Sequence, residues 1–345
     1  PAVARIVATV ILYFATGLSI TGGYHRLYSH TTYKTNPVVE AVILFFASMS
    51  VQSSALRWSF EHRLHHAYVD TDQDPYSINR GFWYAHILWL FKKPAEIDRK
   101  VVADLAKNPL VAFQHKHYLA CMLTSNIIIF LFVGWLLGDY LGAFVLSWWT
   151  RLFMLHHSTW FINSLAHFWG TQSFSQEQTA VDNYIISLLT FGEGYHNYHH
   201  TFANDYRNGI RWYHFDPTKW LIWALNKMGL AHGLKKVNHY HIKERRVSAR
   251  KNETLEKIAE SFESRKEELT AYISKASETI CVNLARARKL VEEYTKYKKT
   301  KQASAEILKQ LKTEIKAVKR TIREDWKTCQ EFSKHIMNGK DPIQQ

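Results

Sequence analysis

A run of 34 residues, 117–150, contains neither lysine nor arginine, and Asp139 is its only charged residue. A segment of about 20 apolar residues is long enough to cross the hydrocarbon core of a bilayer. The sequence Gly-Asp-Tyr at 138–140 interrupts the run near its middle and favours a turn there. The run therefore predicts a hairpin of two membrane spans, at about residues 118–137 and 141–161.

Two shorter apolar stretches precede this hairpin. Residues 2–21 contain one charge, Arg5, and approach the length of a span, although a buried helix of a soluble protein has a similar composition. Residues 38–51 contain only Glu40 as a charge and are too short to cross, so we expect a helix that lies in the membrane interface or packs against the core. The front of the chain therefore predicts an all-α integral membrane bundle, with a domain at 1–242.

The rear of the chain has a different composition. No glycine or proline occurs over the 105 residues 234–338, and +9 of the formal net charge of +14 lies from Lys243 onward. We expect two long helices, at about 252–299 and 303–335, in a basic tail at 243–345. Its basic faces suit anionic lipid or an acidic partner, and a solvated helical tail that packs only on itself is the alternative. A heptad pattern supports the second helix: Leu308, Leu311, Ile315, Val318 and Ile322.

Histidines are concentrated in short motifs within the front part. The pattern His-x-x-His-His occurs at 62–66 and as the last five residues of 192–200, and this spacing places three imidazoles on one face of a helix. A looser pair lies where the first span ends, and one more histidine lies at the end of the last span. Neutral imidazole is the most frequent metal ligand among side chains. The candidate ligands are His25, His30, His62, His65, His66, His167, His196, His199 and His200.

Nine imidazoles are too many for one metal ion, since a zinc site takes three or four protein ligands, but they suffice for two metals. The three cysteines are isolated in the sequence, which excludes a zinc ribbon and an iron–sulfur cluster. Imidazole itself suits iron, copper and zinc alike. A hydrocarbon chain held between spans offers no group for hydrolysis, and attack on its C–H bonds needs an oxidised iron–oxygen species. Oxygen activation by two irons is therefore the leading interpretation.

The spans also place the histidine motifs relative to the membrane. No complete span separates the first two motifs and two spans separate the second from the third, so all three lie on one side. The segments that hold them, 22–116 and 163 onward, also hold nearly every lysine and arginine. The positive-inside rule assigns that side to the cytosol. The same count places residue 1 at the opposite face and predicts a further span upstream of it.

The ordered motifs resemble those of the integral-membrane fatty acid desaturases, in particular their delta-9, stearoyl-CoA desaturase-like branch. The resemblance runs from about residue 5 to 235, leaves the tail outside, and is closer to bacterial members than to animal ones. The matching motifs are His-Arg-Leu-Tyr-Ser-His at 25–30, Glu-His-Arg-Leu-His-His at 61–66, Asp-Pro at 74–75, Arg-Gly-Phe-Trp at 80–83, Asn-Ser at 163–164 and Gly-Glu-Gly-Tyr-His-Asn-Tyr-His-His at 192–200.

The resemblance implies a four-span fold, with its first span missing here, and a cytosolic helical cap that holds a diiron site. It implies oxygen-dependent insertion of a cis double bond between the ninth and tenth carbons of a saturated acyl chain. The nine histidines would ligate two irons, and Asn163 would reach one of them through water. The substrate contacts that it implies are Gln52, Trp58, Thr159 and Trp160 along a bent acyl tunnel, Tyr13 and Gly17 at its closed end, and Arg80, Lys92 and Lys93 at the carrier phosphates.

The resemblance leaves the acyl carrier open between acyl-CoA, acyl carrier protein and a membrane lipid, because Ser53 and Phe60 replace coenzyme contacts of the animal enzymes. No haem, flavin or iron–sulfur motif accompanies the histidines, so the electron donor must be a separate protein, cytochrome b5-like or a ferredoxin. Nucleic-acid binding is disfavoured, since no basic–aromatic recognition module is present. A membrane hydroxylase and a non-catalytic scaffold are the competing functions. The expected location is the bacterial inner membrane, or the endoplasmic reticulum in a eukaryote.

Overall fold

The computed structural model describes residues 2–301 and 303–342, and almost all of its regular structure is helical. Contacts divide the chain into two units, Pro1–Gln172 with Glu177–Lys236, and Ser173–Gln176 with Val237–Gln345. The predicted boundary between the membrane domain at 1–242 and the basic tail at 243–345 stays a prediction. In the first unit the described α-helices are α1 (Ala2–Leu18), α2 (Pro37–Ser48), α3 (Ala55–Tyr68), α4 (Phe82–His86), α5 (Ala103–Ala106), α6 (Pro109–Lys116), α7 (Tyr118–Leu137), α8 (Tyr140–Gly142), α9 (Arg151–Asn163), α10 (Tyr184–Leu189), α11 (His196–Thr201) and α12 (Pro217–Lys227).

Short stretches of other backbone structure connect these helices. Two strands, β1 (Lys34–Thr35) and β2 (Ala231–His232), pair antiparallel and join the chain that follows the first histidine pair to the end of the unit. Two stretches wind as π-helix, Ser19–Ser29 and Ala143–Thr150, and three turns wind as 3-10 helix, Ile78–Arg80, Leu88–Phe91 and Leu165–His167.

Among the described residues, two helical segments are long and apolar enough to cross a membrane, judged by length and composition. One is Tyr118–Leu137, which agrees with the predicted span at 118–137. The other is Ala2–Ser29, in which α1 passes directly into π-helix and extends past the predicted end at residue 21. The third predicted span, at 141–161, lies within a continuous helical run from α8 to α9 and stays a prediction.

The predicted interfacial helix at 38–51 corresponds to α2, which is apolar and shorter than a span. Its first turn is fixed by the sequence, because the Asn36 side chain accepts a hydrogen bond from the Val39 amide and Pro37 occupies the first helical position. Glu40 accepts hydrogen bonds from the Tyr28 hydroxyl, at 3.1 Å, and from Asn108 Nδ2, at 2.6 Å. The charge in this apolar segment is therefore turned toward polar partners of the protein.

The histidine motifs lie on helices, as their spacing predicts. Helix α3 begins after Ser54, whose hydroxyl accepts a hydrogen bond from the Arg57 amide, and it carries the motif at 62–66. Helix α11 carries the motif that ends at residue 200, and His167 closes the 3-10 turn after α9. In the first pair, His25 lies on the π-helical end of the first span, a helix type that is frequent at functional sites, and His30 is the residue that follows this helix.

The second unit contains three long α-helices within its described residues, not the two that we expected. The predicted helix at 252–299 is wrong, because a helix ends at Ser261. The backbone of the next residue, Phe262, leaves the helical region, with φ −133° and ψ 47°. A 3-10 turn, Glu263–Arg265, follows, and Phe262 packs against the core of this unit. The absence of glycine and proline therefore did not ensure continuity. The helices are α13 (His239–Ser261), α14 (Lys266–Thr300) and α15 (Ala305–Met337).

Candidate metal centre and adjoining cavity

All nine candidate histidines of the first unit meet in one place, as two adjacent groups of imidazoles. Within each group the potential ligand atoms lie within 4.8 Å of one another, and every member is buried or half-buried. One group contains five histidines from the first span, α3 and α11, and the other contains four from α3, the turn after α9, and α11. The groups are His25, His30, His62, His66 and His199, and His65, His167, His196 and His200.

The nitrogen spacing matches what a metal ion requires. Within the group of five, the Nε2 atoms of His25 and His199 lie 3.0 Å apart, and those of His30 and His62 lie 2.8 Å apart. Within the group of four, the spacing is 3.1 Å between His196 and His167 and 3.3 Å between His65 and His200. Two nitrogens bound to one metal at about 2.1 Å lie roughly 3.0–3.4 Å apart at the usual angles. Three of these four spacings fall in that range and the 2.8 Å spacing lies just below it, so the Nε2 atoms are close to the separation that direct ligation requires.

Three of these rings are oriented by an acceptor at the other ring nitrogen. His65 Nδ1 lies 2.9 Å from Asp74 Oδ1, and His25 Nδ1 lies 3.0 Å from Glu193 Oε2. Since an ionised carboxylate only accepts, each Nδ1 carries the proton and each Nε2 presents a lone pair. Partners of this kind fix the ring orientation and raise the basicity of a ligating imidazole.

His167 obtains the same orientation through an intermediate side chain. Its Nδ1 lies 2.8 Å from Thr179 Oγ1, and the Thr179 hydroxyl donates to Asp70 Oδ1 at 2.6 Å. The Thr179 amide also donates to Asp70 Oδ2 at 2.7 Å. Because the hydroxyl proton is used toward Asp70, Thr179 accepts from His167. Sequence reasoning did not identify Asp70 or Thr179, since they are 109 residues apart and belong to no histidine motif.

A buried ion network supports the group of five from the opposite side. Arg26 Nη2 donates to Glu193 Oε1 at 2.8 Å and lies 3.0 Å from Asp216 Oδ1, and all three side chains are at most 2% exposed. Asn208 Nδ2 donates to Glu193 Oε2 at 2.6 Å. Burial alone would raise the pKa of Glu193, but the charge of Arg26 and the hydrogen bonds from His25 and Arg26 lower it to about 2. Glu193 was within reach of sequence analysis, since it is the acid of Gly-Glu-Gly at 192–194.

Burial keeps seven of the nine imidazoles neutral and able to bind metal. It lowers the pKa of these seven histidine side chains well below the ordinary value. The neighbouring imidazoles lower it further, because two protonated imidazoles side by side would repel each other. A metal would therefore compete with few protons at neutral pH. These histidines are His30, His62, His66, His167, His196, His199 and His200.

A cavity of about 640 Å³ adjoins both groups and is lined by His25 and His62 from one and by His65 and His196 from the other. Its volume is in the range of small-molecule sites, which is about 300–1,000 Å³. Asn163, the last residue of α9, also lines it. Eight of the nine predicted substrate contacts belong to the same lining: Gly17, Gln52, Trp58, Arg80, Lys92, Lys93, Thr159 and Trp160.

The ninth predicted contact, Tyr13, does not line the cavity. Its hydroxyl is held by Ser158 Oγ at 2.7 Å and donates to the Leu189 carbonyl at 3.1 Å. Its ring lies 4.9 Å from the ring of Phe191, which does line the cavity. A Cβ atom on Gly17 would lie 2.2 Å from Phe191 Cζ, so the ring fills the space that glycine leaves open. Phe191 is therefore the residue that sequence reasoning missed at this end.

Part of the cavity wall is a strained loop after α2. Val51 and Ser53 both have positive φ, 56° and 72°, which is rare for any residue with a side chain and especially for a β-branched one. Between them, Gln52 Nε2 donates to Thr159 Oγ1 at 2.9 Å. Trp58 stacks on His62 with ring centroids 5.0 Å apart. Strain of this kind persists where the surroundings fix the backbone and is frequent at ligand sites.

An all-helical fold with two imidazole groups beside a cavity is the arrangement of a membrane metalloenzyme. The sequence model of the fatty acid desaturase family matches residues 2–234, two thirds of the chain, and the chain belongs to that family. The family is membrane-bound, in agreement with the two apolar helical segments. The match ends before α13, so the second unit lies outside the family region.

Named relatives agree with this assignment. The chain is 44% identical over 232 residues to the probable acyl-CoA desaturase of Schizosaccharomyces pombe, with 66% of this chain and 48% of the relative covered. It is 43% identical over 239 residues to acyl-CoA desaturase 1 of Saccharomyces cerevisiae, and the match covers 68% of this chain and 47% of the relative. The sn-2 palmitoyl-lipid 9-desaturase of Nostoc is 35% identical over 229 residues, and the match covers 64% of this chain and 78% of the relative.

Two facts qualify the likeness to these relatives. The chain spans about half the length of the two fungal proteins that it matches. Both fungal proteins are also more similar to it than the cyanobacterial one, so the expected closeness to bacterial members is not favoured.

Proposed function

We propose that this protein introduces a cis double bond between the ninth and tenth carbons of a saturated fatty acyl chain, with O2 as co-substrate. The observation that carries the proposal is the cavity whose lining includes members of both imidazole groups, because it brings a hydrocarbon chain against two metals at once. The names of the relatives, acyl-CoA desaturases and an acyl-lipid 9-desaturase, support the reaction and its position.

The imidazole donor set suits iron, copper and zinc alike, and the attack on a C–H bond that we propose favours iron at both positions. The group of five would hold one ion and the group of four would hold the other, and Asn163 would contact one of the two through water. When bound, two irons would supply the oxidising power needed to activate O2 for attack on an unactivated C–H bond. Asp74, Glu193 and Thr179 hold the Nδ1 protons of their histidines and keep the facing nitrogens free for ligation.

The remaining residues would bind and position the acyl chain. Apolar walls exclude water from the reacting carbons, and the hydrogen bond from Gln52 to Thr159 fixes the loop in the cavity wall. Phe191 and Gly17 would limit the depth that the methyl end reaches. Arg80, Lys92 and Lys93 would meet the phosphates of a coenzyme A carrier or the headgroup of a lipid carrier.

We further propose that the imidazole groups face the cytosol and that electrons come from a separate protein. The basic residues near the cavity suit an acidic donor such as a cytochrome b5-like protein or a ferredoxin. Two assays test these points: labelling of cysteines introduced near Lys92 in sealed vesicles, and turnover with each purified donor. Labelling only from the side opposite the cytosolic face would contradict the topology. Turnover with a chemical reductant, but not with a cytochrome b5-like protein or a ferredoxin, would contradict the proposed class of electron donor.

Fatty-acid profiling of a desaturase-deficient cell that expresses the chain tests the activity. We expect a delta-9 monounsaturated product from the wild-type protein and from His232→Ala, whose exposed histidine lies outside both groups. We expect none from His199→Ala. A hydroxylated acyl chain as the product would instead indicate that the protein is a membrane hydroxylase. Unchanged lipid composition and retained growth in cells that express His199→Ala would indicate that it is a non-catalytic scaffold.

A further inference from the structure

The second unit contains a cavity of its own, about 280 Å³ in volume, between its three helices. Helix α13 contributes residues near its N-terminal end, α14 contributes residues from its middle, and α15 contributes one face over two turns. The cavity belongs to no part of the family region, which ends at residue 234. Its lining is His239, Tyr240, Lys243, Arg246, Val247, Ile280, Leu284, Lys319, Ile322, Arg323 and Trp326.

Four of the lining residues are cations, Lys243 and Arg246 from α13 and Lys319 and Arg323 from α15. Within the described ranges, no carboxylate forms an ion pair with Lys243, Lys319 or Arg323. The acids next to them in sequence are directed elsewhere, since Glu244 lies 3.4 Å from His241 Nδ1 and Glu324 lies 3.5 Å from Arg320. Three of the four cations, Lys243, Lys319 and Arg323, therefore bring positive charge to the cavity that no ion pair with a described carboxylate offsets.

These cations are close enough to repel one another. Burial lowers the pKa of Lys243, and the charges of Lys319, Arg246 and Arg323 lower it further. Holding like charges together reduces the stability of the bundle, whereas an anion placed among them would relieve the repulsion. This is the electrostatic pattern of an anion-binding site.

The rest of the lining is apolar or aromatic. Val247, Ile280, Leu284 and Ile322 are buried and form the wall, and Tyr240 and half-buried Trp326 add aromatic surface. Inorganic phosphate alone would leave this surface uncovered. The volume is slightly below the usual range for cofactor pockets, about 300–1,000 Å³, so the cavity suits one headgroup or one ring rather than a whole cofactor.

We propose that this cavity binds a phosphate monoester that carries an apolar group. A phosphate monoester has a charge of about −1.5 to −2 at neutral pH and three strong acceptor oxygens, which suits several converging lysines and arginines. The apolar group would cover Val247, Ile280 and Trp326. The same chemistry has two sources, an anionic phospholipid such as phosphatidic acid and a soluble organic phosphate.

Binding to the full chain in non-ionic detergent tests the proposal with two probes. Dioctanoyl phosphatidic acid represents the lipid source and phenyl phosphate the soluble source, and inorganic phosphate serves as the comparison. The double variant Lys243→Gln, Lys319→Gln removes two cavity cations, and Lys309→Gln, Lys312→Gln removes two exposed lysines of α15 outside the cavity. Circular dichroism checks that both variants remain folded.

We expect at least one of the two probes to bind wild type more tightly than inorganic phosphate does. We expect the cavity variant to weaken that binding at least about tenfold and the control variant to leave it within about twofold. The probe that binds more tightly identifies the source. Equal losses in the two variants, or undiminished binding in the cavity variant, would overturn the proposal. So would inorganic phosphate binding as tightly as both probes.

Discussion

Thr179 Oγ1 and His167 Nδ1 lie 2.8 Å apart, and this contact links one imidazole of the group of four to a carboxylate that never touches it. The carboxylate is that of Asp70, whose own backbone has a positive φ of 66°. The turn after α3 therefore fixes the tautomer of a histidine that comes from the turn after α9.

Thr179→Val removes this link while keeping the side-chain shape. We expect a roughly 10- to 100-fold loss of affinity for one of the two proposed irons, because a ligand without its orienting partner binds more weakly. Iron content per chain after dialysis against a graded chelator measures this. Thr171→Val, an exposed threonine in the same unit, is the control and should retain both irons. Full retention in Thr179→Val would show that the ring is held by packing alone.

Glu193→Gln leaves Arg26 buried with Asp216 as its remaining carboxylate partner. We expect a loss of about 3 kcal/mol in stability, because a buried charge that loses a partner pays its desolvation without compensation. Thermal unfolding in detergent measures the loss. Glu244→Gln, at a half-exposed ion pair of the second unit, should change stability by less than about 1 kcal/mol. Equal shifts for the two variants would contradict the role of the buried network.

Acid should destabilise the metal-free protein well before carboxylates titrate. The lowered pKa values of His62 and His199 mean that the folded protein takes up these protons only at low pH, whereas the unfolded chain takes them up below about 6.5. The free energy of unfolding that these neutral histidines contribute is therefore fully present above about pH 6.5. It is lost as the pH falls further, by about 1.4 kcal/mol per histidine at one pH unit below that value. The melting temperature of the metal-free protein at pH 7.5 and 5.5 measures this. An equal melting temperature at both would contradict it.

Phe191→Ala should lengthen the acyl chains that the enzyme accepts. The ring fills the space beside Gly17, and each further methylene that enters an apolar cavity contributes about 0.8 kcal/mol, roughly a fourfold preference. Gas chromatography of products from mixed saturated chains gives the preference. Phe168→Ala, an exposed phenylalanine, should leave the distribution unchanged. Shorter products from Phe191→Ala would place the closed end elsewhere.

Lys92→Gln with Lys93→Gln should distinguish the carriers. If the carrier is coenzyme A, KM for the acyl thioester should rise about tenfold at low salt with kcat unchanged, because these lysines would contact phosphates remote from the reacting carbons. The rise should shrink at high salt, where charges are screened. An unchanged KM for acyl-CoA would favour a lipid-linked chain, and Lys107→Gln with Lys116→Gln, two exposed lysines outside the cavity, is the control.

The helical faces of the histidine motifs and the span at 118–137 follow from residue spacing and length, because both depend on neighbours in the sequence. The orienting residues could not be found in that way, since Asp70 and Thr179 meet only after the chain has folded. The break at Phe262 was missed for a related reason. A helix ends where tertiary packing favours another backbone angle, and no glycine or proline is needed there.

The first span passes into π-helix without a break, so Gly17 and His25 lie on one continuous helical rod. On the proposed function, this rod joins the floor of the cavity to a metal ligand. Each residue added to a helix turns it by roughly a quarter of a turn as well as advancing it. Insertion or deletion of one residue between Gly17 and His25 would therefore rotate one of them away from its place, and substrate length and metal binding would change together.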